Sequence, residues 1–214
     1  MMIRRVVFAA AVLAALGMPA LILQAQPAAA PAEAPVTAFV PESAGTYALD
    51  KSHANIIFSV THLGFSNYFG RFNNFDGTLV IDAAAPENSK VDITIDTASL
   101  DTNHDQLEGK LKNAPYFNVA QFPTATFKST SVRVSPGTNT GVVVGELTLL
   151  GVTKPVTLDV VFNRQALNPF SKKQTVGFSA KGTFKRSEFG MTELVPHVGD
   201  DVTLQIEVEF GKQG

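Results

Sequence analysis

HANIIFSVTHLGF, residues 53–65, contains no Asp, Glu, Lys or Arg and alternates with a period of two. Ala54, Ile56, Phe58, Val60 and His62 fall on one face; Asn55, Ile57, Ser59, Thr61 and Leu63 fall on the other. Such alternation marks a β-strand with one dry face. This dry face ends in a histidine. Either it packs on a solid core, with His62 a satisfied polar residue, or it lines a cavity in which His62 meets a ligand.

The same period recurs downstream. Val91, Ile93 and Ile95 alternate with Asp92, Thr94 and Asp96, and Val156, Leu158, Val160 and Phe162 with Thr157, Asp159 and Asn163. Val176, Phe178, Ala180, Gly182 and Phe184 form another apolar face, as do Val202, Leu204, Ile206, Val208 and Phe210. Turn-forming stretches at 82–90, 135–141, 151–155 and 163–174 separate these runs. The pattern predicts roughly eight to ten antiparallel strands. A strand over 174–185 would span roughly 40 Å. Long, closely linked strands with one apolar face suit a closed barrel, which leaves no edge exposed. One short helix is expected near Asn103–Asn113, capped by Asp101, Thr102 or Asn103. Leu107 and Leu111 would share one side and lie across the barrel wall or mouth.

Composition narrows the function. Charged residues make up 17% and the formal net charge is −2, so there is no basic footprint for nucleic acid. Cysteine is absent, which removes disulfides, thiolate metal sites and cysteine-linked haem or lipid. Phe 16 against Tyr 3 and Trp 0 suits an interior poor in hydrogen-bond partners. The N-terminus carries Arg4 and Arg5, an apolar run from Val6 to Leu23 and small residues beyond it, the layout of a signal peptide. We assign 1–25 as signal peptide, 26–44 as an Ala/Pro-rich tether and 45–212 as the barrel. Periodicity alone favours a packed sandwich core, because buried aromatics ordinarily serve as core.

The stretch YALDKSHANIIFSVTHLGFSNYFGRFNNFDGTLVID resembles the opening of the YceI-like family of exported, polyisoprenoid-binding, lipocalin-like proteins. FPTATFKST (122–130), GELTLLGVTKPVTLDVVFN (145–163), GFSAKGTFKRSEFGM (177–191) and VGDDVTLQIEVEF (198–210) extend the likeness in order. The resemblance implies an all-β fold, an antiparallel eight-stranded lipocalin-like barrel with one short helix. It also implies periplasmic location, an elongated apolar channel for an isoprenoid-type lipid, and homodimers. The family often carries a more basic run before a Phe-Phe pair. Here the segment reads DQLEGKLKNAPYFNV with Tyr116-Phe117, so a head-group contact from it is not carried over.

The lining expected from parity and this resemblance is Ile56, Phe58, Val60, His62, Phe72, Leu79, Ile81, Ile93, Phe127, Leu147, Phe162, Phe178, Phe184 and Ile206. The expected partner is an isoprenoid or other long-chain lipid, with transient membrane contact. No catalytic residue, cofactor or metal ligand is expected. Asp50, Ser52 and His53 are neighbours, but no Gly-x-Ser-x-Gly elbow or His-Glu-x-x-His accompanies them. Arg71 is expected to pair with Asp76. The other reading gives it, Lys154 or Arg186 a phosphate at the mouth. Two alternative functions stay open: an enzyme acting on an apolar substrate with His62 as base, and a filled barrel that binds a partner.

Overall fold

The computed structural model describes Ala38, Pro41 and residues 43–214. The expected signal peptide and most of the expected tether lie outside the described residues. The strands are β1 (Gly45–Leu49), β2 (Asn55–His62), β3 (Ser66–Phe72), β4 (Phe75–Ile81), β5 (Lys90–Asp96), β6 (Leu100–Asp101), β7 (Thr124–Val134), β8 (Thr140–Leu149), β9 (Val152–Leu167), β10 (Gln174–Lys185) and β11 (Asp201–Lys212). One α-helix, α1 (Asp105–Leu111), lies between β6 and β7.

These segments join into eight staves. β1 and β2 lie end to end along β11, which meets them at Leu49↔Phe210 and Ile206↔Ile56. β4 and β3 pair with β1 and β2 in turn, and β5 and β6 with β4 and β3. From β5 the ring continues through β7, β8, β9 and β10 to β11, each antiparallel to the next. The result is a closed antiparallel eight-stranded barrel with one helix, not a two-sheet sandwich.

Strand counting misses the breaks inside three staves. Two of them are 3₁₀ turns started by an aspartate: Asp50 accepts the Ser52 N–H at 3.0 Å, and Asp96 accepts the Ala98 N–H at 2.9 Å. The β8–β9 connection is shorter than expected. Leu150 and Gly151 both take positive φ, 53° and 75°, and close a two-residue hairpin. Pro155 therefore falls inside β9, opposite Glu146, before β9 has met β10 at Leu158. Its missing N–H breaks no ladder bond there. β9 also runs past Asn163 to Leu167, because Gln165 is buried and donates to Tyr47 Oη at 2.6 Å and Ser43 O at 3.0 Å.

Among the described residues β6 pairs only with β3, and between it and β7 the lumen is lined from α1 and the segment that follows it. The expected side-chain caps do not cap α1. His104 occupies the N-cap, and Glu108 Oε1 reaches back to accept the Thr102 and His104 N–H groups at 2.9 and 3.3 Å. The packed interior has two parts. One surrounds Tyr47, Ile81, Val176 and Phe210, and the other Phe127, Leu149, Leu158 and Phe189.

Candidate functional site

The barrel is not filled. An apolar lumen of about 560 Å³ runs inside it, a volume in the range of small-molecule and lipid sites. Alternate residues of the staves form its wall, as Val202, Leu204, Ile206, Val208 and Phe210 do on β11. At the helix end it is lined by His62, Tyr68, Leu107, Lys110 and Leu194; at the far end it reaches Lys90, Asn139 and Thr140.

Glycines on the inner face explain part of the hollow. Gly70 lies directly opposite Phe58, and a methyl group at Gly70 would overlap the Phe58 ring. Gly145 lies opposite Ser129, and a methyl group there would likewise overlap the Phe127 ring. Each ring occupies the space a side chain at the neighbouring glycine would need. Stacking of the remaining aromatics holds them to the wall: Phe72 meets Phe58 at 5.7 Å and Phe117 edge-on at 5.7 Å, and Phe162 meets Phe178 at 5.7 Å.

Of the residues expected in the lining, Ile56, Phe58, Val60, His62, Phe72, Leu79, Ile93, Phe127, Leu147, Phe162, Phe178, Phe184 and Ile206 all border the lumen. Ile81 does not. It is 3% exposed and packs with Tyr47 at the far end, where side chains fill this side of the barrel. Leu107, Leu111, Tyr116 and Phe117 also line the lumen. Parity cannot find Tyr116 and Phe117, which follow the helix and belong to no strand. Leu107 and Leu111 were legible as the apolar side of α1.

His62 is exposed at the rim rather than buried in the core. Its ring neighbour is Tyr68, 6.4 Å away, and among the described residues no carboxylate orients it. Arg71 is held by Asp101, with Nε and one terminal nitrogen each 3.0 Å from Oδ2, while Asp76 pairs with Lys51. The expected Arg71–Asp76 pair is thus replaced on both sides. Asp101 also accepts the Asn73 amide at 2.9 Å and the Asn103 N–H at 2.9 Å. These donors, Asn73 foremost, lower its pKa to about 2.

The Asp50–Ser52–His53 group lies outside the lumen lining. Ser52 Oγ donates to Asp50 at 2.6 Å, and both Ser52 Oγ and Asp50 Oδ2 contact the same ring atom, His53 Nδ1, at 3.1 and 3.0 Å. A hydrolytic relay needs serine and aspartate on opposite ring nitrogens, so this is not one. Asp50 raises the His53 pKa by hydrogen bond and charge. The fold adds Glu209, which sequence spacing could not reveal; ligand-type atoms of the three lie within 4.8 Å of one another.

Arg186 is 4% exposed and lies at the lumen wall. Its Nε donates to Gly199 O at 2.8 Å and its terminal nitrogens to Met191 O at 2.9 Å and Val198 O at 2.8 Å. It therefore pins segment 191–199 over the helix end. Burial pushes its pKa below the usual guanidinium value.

Residues 47–210 match the YceI-like domain family. The chain belongs to this family. A YceI protein of Salmonella arizonae is 42% identical over 172 residues, covering 79% of this chain and 88% of the relative. The crystal structure of a Campylobacter jejuni YceI protein superposes with TM-score 0.65 at 30% identity, over 72% of this chain and 90% of that one. A polyisoprenoid-binding domain from Saccharophagus degradans, implicated in plant cell wall breakdown, shares the fold with TM-score 0.56 at 16% identity, over 80% and 100% of the two chains. The YceI-like match spans all the staves, from β1 to β11.

Proposed function

We propose that the chain is an exported, non-catalytic carrier that holds a polyisoprenoid or other long-chain amphiphilic lipid in its lumen. The open apolar lumen carries this reading. A prenyl or acyl tail offers little but apolar surface, worth about 0.8 kcal/mol per buried CH₂. Some ten carbons contribute roughly 8 kcal/mol before ordering costs, enough for binding without many polar anchors. The polyisoprenoid-binding domain that shares the fold points to the same ligand class. His62 without an orienting carboxylate, and the missing relay at His53, support binding over catalysis.

A tail stored inside must enter from a membrane. Leu63, Phe65 and Leu194 are 51%, 88% and 48% exposed at the helix end. The Leu63 N–H donates to His197 O at 2.8 Å, tying the β2–β3 turn to the segment that carries Leu194. This apolar lip beside the mouth supports transient membrane contact during exchange.

Intact-complex mass spectrometry of protein purified from the exported fraction tests the carrier. The expected result is a mass increment from a hydrophobe that denaturation releases. Protein that carries no lipid and takes none up from vesicles would leave the partner-binding barrel as the better reading.

A further inference from the structure

The β9–β10 hairpin outruns its neighbour at the far end of the barrel. β8 starts at Thr140, opposite Val161, whereas β9 and β10 run on together to Leu167 and Gln174. Asn139 marks the rim there: its side-chain amide donates to Phe162 O at 3.0 Å, and its carbonyl accepts the Phe162 N–H at 2.7 Å. Residues 168–173 form the tip of the hairpin beyond that rim. The tip carries Phe170, 93% exposed, with Leu167 at its base, 58% exposed. Lys172 and Lys173, both exposed, follow on the same loop.

This loop is built to hold its shape. Asn168 Oδ1 accepts the N–H groups of Phe170 and Ser171 at 2.9 and 3.0 Å. The Asn168 N–H donates to Lys173 O at 2.8 Å, and Asn168 O accepts the Lys172 N–H at 2.9 Å. Lys172 takes φ 58°, a left-handed conformation that disfavours a residue with a Cβ. These bonds keep Phe170 out in water instead of folded back on the barrel.

Charge decides what can cover it. The sequence contains no Asp or Glu from 160 to 187. Among the described residues neither Lys172 nor Lys173 has an ion-pair partner. A second copy docking about Phe170 by two-fold symmetry would set these lysines against their own counterparts. An anionic lipid surface suits both parts at once: aromatic rings settle at head-group level, and lysines are drawn to the negative surface.

We propose that the 168–173 loop docks on an anionic lipid surface, with Phe170 in the head-group layer and Lys172 and Lys173 on lipid phosphates. This contact lies at the other rim from the apolar lip of the helix end, and it needs charge where the lip does not. It does not depend on what the lumen holds.

Co-flotation of protein purified from the exported fraction tests it. The vesicles are phosphatidylcholine alone or with about one-third phosphatidylglycerol, in about 50 or 500 mM salt. At the lower salt the anionic vesicles should hold at least about tenfold more protein, and most of that excess should vanish at the higher salt. Neutral vesicles offer the lysines no partner, so salt should matter only on the anionic ones. Phe170→Ser should weaken binding to anionic vesicles about tenfold. Lys172→Gln with Lys173→Gln should bring it down to the neutral-vesicle value. Phe65→Asp, which alters only the lip, should leave the salt-sensitive excess in place. Equal binding to both vesicles, an excess that survives the lysine substitutions, or full binding by Phe170→Ser overturns the proposal. So does a dimer that Phe170→Ser dissolves in sedimentation while vesicle binding stays unchanged, which would give the loop to a second copy. None of these results touches the carrier, whose own test is the mass of the intact complex. All three substituted positions are exposed on a turn, and an unchanged melting temperature confirms that the variants fold.

Discussion

Gly70 has no side chain, yet it decides where Phe58 lies. The ring rests where a Cβ would be. Gly70→Ala should drive that ring inward, lowering stability by about 1–3 kcal/mol, the usual range for overpacking, and shrinking the lumen. Urea unfolding gives the first quantity and lipid stoichiometry by mass spectrometry the second. An alanine variant with full stability and full lipid load would show that the glycine does not set the bore. At this scale the sequence was legible wherever a residue sits on a strand. Parity alone named Phe58, Phe72, Phe162 and Ile206 as inward-facing, because a pleated strand can only alternate. It could not see that Gly70 faces Phe58, which is a matter of register between strands. Nor could it separate Ile81 from the lumen, since parity gives the face and not the depth along the barrel.

The weakest part of the wall is the one not made of strand. Between β6 and β7 the lumen is covered by α1 and residues 112–123, anchored at their start by Asp101. Asp101 ties Arg71 and Asn73 of the β3 stave to Asn103 just before the helix. Its pKa is about 2 against the ordinary 3.8. A carboxylate held below its unfolded value stabilises the fold fully above that value, and the effect fades as pH falls through the folded one. Amide protection in residues 102–111, taken relative to the intrinsic exchange rate at each pH, should therefore fall between about pH 4 and pH 2, while β10 and β11 stay protected. Asp101→Asn should show the same local loosening at pH 7, and uniform exchange across the barrel in that variant would refute the local role. The other covering segment is held by Arg186. Arg186→Leu strands three carbonyl acceptors and should lower stability by about 3 kcal/mol or more, read from the urea midpoint. Neither cover was legible as such. The helix was, from Leu107 and Leu111, but a guanidinium serving backbone carbonyls 5 to 13 residues away leaves no periodic trace.

Closure explains how so few charges can suffice for the whole molecule. A ring of eight staves leaves a single short edge, at β6, which α1 and the segment after it cover, so the wall needs no charged edge strand; an eight-stranded ring is also wide enough to hold one ligand. That geometry creates a problem of access. A tail in a bilayer loses its apolar surroundings if it crosses water to reach the mouth, at about 0.8 kcal/mol per CH₂ exposed. On the carrier proposed above, uptake would be limited by entry and not by fit, and the lip would matter for rate. Phe65 stands 88% exposed at the tip of the β2–β3 turn and is absent from the lumen lining. Phe65→Asp should therefore slow transfer of a fluorescent long-chain lipid from neutral vesicles by about tenfold, while equilibrium affinity for the same lipid added from a soluble carrier stays unchanged. Lys110 and Lys112 do not make a basic patch, so the wild-type rate should change little between 50 and 500 mM salt, where contact driven by anionic head groups would fall steeply. A Phe65→Asp protein that loads from vesicles as fast as the parent would place the point of entry elsewhere. The far rim at Asn139 and Thr140, where the lumen also reaches, would then be the next site to block.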